Sequence, residues 1–152
     1  MKLLSVLAAV LLAGCNHDMG TGTGNPLATT PMAQPPTVWS AVILNNVCRI
    51  VSECHQGVTN SACNTDIQNL PMFGPKMSNS LSATVPVQEI IYEEAMQILV
   101  PSQEAAATCD VRVNALTCSD SVVQNAYMPG AALPYANLAD VLDPVCQTIF
   151  VR

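Results

Sequence analysis

Seven cysteines constrain this 152-residue chain more than any other feature: Cys15 closes an apolar leader, and the other six, Cys48, Cys54, Cys63, Cys109, Cys118 and Cys146, fall in the region beyond it. An even set of cysteines behind an export leader reads as a disulfide framework, and six cysteines allow fifteen pairings. Cys48 and Cys54 lie in a stretch with helical periodicity, where six residues rise about 9 Å, beyond the roughly 7 Å reach of a disulfide. The same argument disfavours Cys109 with Cys118 if the helix around Cys109 persists to Leu116. The framework predicted is a local clip from Cys54 to Cys63 across the turn HQGVTNSA, with Cys109 bridged to Cys146 and Cys48 to Cys118. No pair of C-x2-C type stands near a second pair or near histidines, so no metal site is predicted.

The leader consists of Lys2 and then an apolar run from Leu3 to Ala13. That run is well short of the roughly 20 residues a membrane-crossing helix needs, so it reads as a signal peptide over residues 1–14. It ends Leu12-Ala13-Gly14-Cys15. This tetrapeptide resembles the lipobox of bacterial lipoproteins at all four positions. The resemblance implies cleavage before Cys15, diacylglyceryl transfer to its thiol and fatty acylation, palmitate among the chains, of the new amino terminus. Several acyl chains on one residue anchor a protein stably, because each buried CH₂ contributes about 0.8 kcal/mol. In Gram-negative lipoproteins an Asp after that Cys tends to retain the protein in the inner membrane. Asn16 stands here, so the resemblance implies outer-membrane localisation, on the periplasmic or the cell-surface side.

Residues 15–37 are rich in Gly, Thr and Pro and carry few large apolar side chains. Such a segment buries too little surface to offset its ordering entropy, and it reads as a flexible tether. The folded domain is expected over 38–152. Only 11% of the chain is charged and its formal charge is −6. Beyond the leader the basic residues are Arg49, Lys76, Arg112 and Arg152, too scattered to neutralise a run of phosphates, which excludes nucleic acid and electrostatic docking on anionic lipid.

Ile43, Val47, Ile50, Val51 and Cys54 share one helical face and predict a helix over 39–54. A second, capped by Ser61, is expected to about Asn69. The stretch 70–86 contains three prolines and reads as a long loop. Val87, Ile90, Ile91, Ala95 and Ile98 predict a helix over 86–100. A further helix capped by Ser102 runs through Cys109 and Val113 to Leu116, and the two are expected to form a helical hairpin. A short helix over 119–127 and a last one from Leu138, broken at Pro144 with Asp143 as a new cap, complete the reading. The fold class is mostly α: a small disulfide-stapled helical bundle with long Pro-containing loops, the runs TVW, ATVPV and TIFV leaving room for a strand pair.

The spacing CRIVSEC, then a third cysteine, then CDVRVNALTC and Pro144-Val145-Cys146, is loosely similar to uncharacterised Cys-rich helical lipoproteins of Gram-negative bacteria. It transfers no activity.

Catalytic sets are sparse. His17 lies in the tether, and His55 follows a cysteine expected to be oxidised. Glu93 and Glu94 are adjacent in a helix, diverge by about 100° and read as a solvated face rather than an acid/base pair. No phosphate loop, G-x-S-x-G or H-E-x-x-H occurs. The function predicted is a lipid-anchored cell-envelope protein working as a non-enzymatic interaction or structural module, without cofactor. It would meet the membrane through its N-terminal lipid and an envelope protein through its loops. Met72, Phe73 and Met77, braced by Pro71 and Pro75, are the candidate partner loop, joined by Met128, Pro129 and Tyr135. The alternative for Met72 and Phe73 is that they pack on the bundle. Two other readings stand beside this one. In the first, a redox or c-type haem carrier uses Cys48, Cys54 and His55, with C-x5-C-H in place of C-x-x-C-H. In the second, a small molecule or lipid binds between helices.

Overall fold

In the computed structural model, which describes residues 36–142 and 144–151, the apolar stripe of residues 39–54 is a helix with the bounds expected from it, α1 (Trp39–Cys54). Ile43, Leu44, Val47, Cys48, Ile50 and Val51 point inward from α1, and α2 (Asn60–Ile67) and α5 (Gln103–Asn114) pack against it. Around them stand α3 (Gly74–Met77), α4 (Val87–Ala95) and α6 (Ser121–Gln124). Among the described residues three 3-10 turns, Pro71–Phe73, Leu138–Val141 and Pro144–Gln147, complete the helical content. The fold is a small disulfide-stapled helical protein, as its sequence predicts.

Cross-links between α1 and α5 share one register. Trp39 Nε1 donates to Gln103 Oε1 at 2.6 Å, Asn46 Nδ2 to Asp110 Oδ1 at 2.7 Å, and Arg49 Nη2 to Asn114 Oδ1 at 2.9 Å, at sequence offsets of 64, 64 and 65. A constant offset means that the two helices run parallel, side by side. Parallel neighbours need a crossover, and residues 55–102 supply it. The predicted hairpin of α4 and α5 is corrected on a separate ground: α5 packs on α1, and α4 packs on α1 as well, rather than chiefly on each other.

The same register decides the disulfides. Cys54 pairs with Cys118, again at an offset of 64, so this bridge closes the far end of the parallel pair. Cys48 pairs with Cys63 and Cys109 with Cys146. Only the last matches its predicted partner; the predicted Cys54–Cys63 and Cys48–Cys118 pairs are exchanged. Six residues along α1 turn Cys54 by about 120° from Cys48 and displace it about 9 Å. Cys48 consequently faces α2, and Cys54 lies level with the segment after α5.

Other expectations shift at their edges. Thr59, not Ser61, caps α2, its Oγ1 accepting from the Ala62 amide at 3.1 Å. The loop expected over 70–86 contains a 3-10 turn and α3, drawn close to residue 82 because Gly74 has no side chain: a Cβ there would stand 2.5 Å from the Ser82 carbonyl oxygen. Ser102 caps α5 as expected. The helix expected over 119–127 is reduced to α6. The final segment forms 3-10 turns rather than an α-helix, and Asp143, its expected cap, lies outside the described residues. No strand forms among the described residues; TIFV contributes isolated bridges, Thr148 to Ser78 and Phe150 to Pro101.

The helix predicted over 86–100 ends at Ala95. Gln97 adopts φ 58°, its amide donates to the Glu94 carbonyl at 2.9 Å, and the Ile98 amide reaches the Glu93 carbonyl at 2.8 Å. This is a Schellman stop with glutamine where glycine is usual. It turns Ile98 away from the apolar face on which the periodicity placed it.

Candidate functional site

Cys15 and most of the segment expected to be a tether lie outside the described residues. The six remaining cysteines are placed, and all are bonded to one another. Cys48 and Cys54, the pair required for a haem attachment or a local dithiol, belong to different bridges. Thioether attachment needs both sulfurs free, so the residues present do not fit that group. No group of three or more His, Cys, Asp or Glu side chains able to hold a metal forms among the described residues.

His55 ends α1, its amide donating to the Val51 carbonyl at 2.9 Å, and its Nε2 lies 2.8 Å from the Val123 carbonyl oxygen. A carbonyl can only accept, so Nε2 carries the proton there. The ring meets Tyr127 edge-on at 5.7 Å, and Tyr127 packs against Tyr135 at 5.2 Å. Burial pushes the Tyr135 hydroxyl pKa above the ordinary tyrosine value, with the neighbouring Asp66 carboxylate and Tyr127 adding to the effect. Together these residues dock α6 and the following loop onto the end of α1. His55 acts there as a bracket between elements.

The candidate partner loop is reassigned. Phe73, from the 3-10 turn, and Met77, from α3, are fully buried and Met72 packs partly on the core, with α3 lying against the C-terminal 3-10 turn. Lys76, between them, instead points outward to Asp140 at 2.8 Å. Of the residues expected to extend this loop, Tyr135 is buried and Met128 is 39% exposed.

Glu94 also departs from the sequence reading. It is 4% exposed, and its carboxylate accepts from the Trp39 amide at 2.7 Å, the Ser40 amide at 2.8 Å and the Ser40 hydroxyl. Val38, the residue at the N-cap of α1, has no side-chain hydrogen bond to offer. A carboxylate from another helix thus satisfies the first amides of α1 and sits at the positive end of its dipole. Long-range capping of this kind leaves no spacing signature.

Periodicity also missed where apolar surface is left in the open. Tyr92, Met96, Ile98 and Val100 are 61%, 57%, 66% and 67% exposed, all within nine residues, while Leu99 between the last two is buried. In a Schellman stop the residue after the left-handed position usually packs back on the helix. Ile98 holds that position and does not pack back.

A surface groove lies at each end of α5. One, of about 330 Å³, lies past the end of α5 and is lined by Arg112, Leu116, Asp120, Val122, Val141 and Leu142. Its Asp120 carboxylate is held below the usual carboxylate range by the Thr117 amide and then the Thr117 hydroxyl. The other, of about 230 Å³, is lined by Pro36, Val38, Glu94, Leu99, Val100 and Gln103. No helix among the described residues is long and apolar enough to cross a membrane.

No protein-family model, no curated protein and no solved structure matches the chain.

Proposed function

We propose that this protein is a lipid-anchored module of the cell envelope, probing or contacting envelope partners without catalysis, with Cys15 as its acylated residue and residues 15–37 as the tether. The observation that carries the reading is the closed pairing of the other six cysteines, which leaves Cys15 alone, in the tetrapeptide that resembles a lipobox. A disulfide set of this size suits an oxidising compartment, and the export leader leads to one. Asn16 favours the outer membrane in a Gram-negative host. The Cys15→Ser variant tests this. Wild-type protein is expected in the membrane fraction and in detergent extracts, and Cys15→Ser in the soluble fraction or retained with its leader uncut. Wild-type protein found in the soluble fraction, or membrane-bound without acyl mass on Cys15, would refute the anchor.

A further inference from the structure

The exposed apolar run at the end of α4 lies beside the point where the described chain begins. Leu99 and Val100 share a groove with Pro36 and Val38, so the start of the described chain and the exposed Val100 are on one side of the domain. We propose that Tyr92, Met96, Ile98 and Val100 form a lipid-contacting edge that rests on the neutral part of a bilayer surface; this rests on the reading of Cys15 as the anchor.

Three observations choose lipid as the occupant. The first is chain length. About twenty residues separate Cys15 from Pro36; on the reading of this stretch as a Gly-rich tether, its expected span of about 25 Å is less than the roughly 35 Å width of a domain this large. The side carrying the root of the tether therefore spends its time near the anchor, at an effective concentration of about the millimolar order. A weak apolar edge suffices under those conditions.

The second is side-chain type and charge. From Tyr92 to Pro101 there is no basic residue, and the two acidic ones are Glu93 and Glu94, of which Glu94 is buried in its cap. An edge with Met, Ile and Val beside a Tyr suits the boundary between acyl chains and headgroups, where tyrosine is enriched. It offers nothing to anionic headgroups. The third is backbone shape. The left-handed turn at Gln97 directs Ile98 and Val100 outward while Leu99 stays in the core, so the edge is held by the fold.

Trp39 provides the readout. It is the single tryptophan of the chain, and its indole donates to Gln103, which lines the same groove as Val100. Mature full-length protein would be reconstituted into phosphatidylcholine vesicles with and without brominated acyl chains. The wild type is expected to float with the vesicles and to lose Trp39 emission to the bromine. The Ile98→Asp/Val100→Asp double variant changes two exposed residues and is expected to float equally, with an unchanged circular dichroism spectrum and restored emission. Flotation without quenching overturns the lipid-contacting edge and leaves the anchor standing. Protein lacking acyl mass that does not float overturns the anchor and the edge with it. A dimer that the double variant converts to monomer would assign the edge to a second copy and would equally overturn the proposal.

Discussion

Glu94 shows how one side chain can hold two elements. Its carboxylate is buried against the first turn of α1 and accepts from two amides and a hydroxyl. Glu94→Ala would leave those donors buried without a partner, and an unsatisfied buried donor costs about 1 to 3 kcal/mol. The expected outcome is a loss of about 2 to 4 kcal/mol in urea unfolding, against less than about 1 for Glu93→Ala on the neighbouring position. A similar loss from both would contradict the cap. Gly74 makes the complementary case for space. A methyl group there meets the Ser82 carbonyl oxygen at 2.5 Å, so Gly74→Ala is expected to lower stability by about 1 to 3 kcal/mol even though the backbone at that position is helical. Unchanged stability would mean that the segment at Ser82 yields freely.

At the scale of elements, the parallel register of α1 and α5 governs the disulfide map. Peptide mapping without reduction is expected to join Cys54 to Cys118 and Cys48 to Cys63. By loop length alone, the Cys54→Ala/Cys118→Ala variant should lose about 4 kcal/mol and Cys48→Ala/Cys63→Ala about 3 kcal/mol. The thermal midpoints would then fall in that order. The elements with strong local signals were legible: α1 from its stripe and α5 from its Ser102 cap. What the sequence hid is non-local. The crossover that makes α1 and α5 parallel has no signature in either helix, and a hairpin is the simpler guess for helices joined by a short loop around Pro101. The early stop of α4 depends on a left-handed glutamine, where sequence reasoning looks for glycine or asparagine. Met72, Phe73 and Met77 sit among prolines, a pattern equally suited to an exposed loop and to the buried 3-10 turn and α3 found here.

For the molecule as a whole, cross-linking and the leader support the same reading. A chain with only 11% charged residues draws rigidity from three bridges and from polar ties such as Asn46 to Asp110 and Lys76 to Asp140. That rigidity suits the module proposed above, a domain presented on a tether. The most direct test of this account is the intact mass of the mature protein from membranes, before and after reduction and alkylation. The account predicts acyl mass on Cys15, no alkylation before reduction and alkylation at all six remaining cysteines after it. An unmodified Cys15, or thiols that alkylate without reduction, would contradict it.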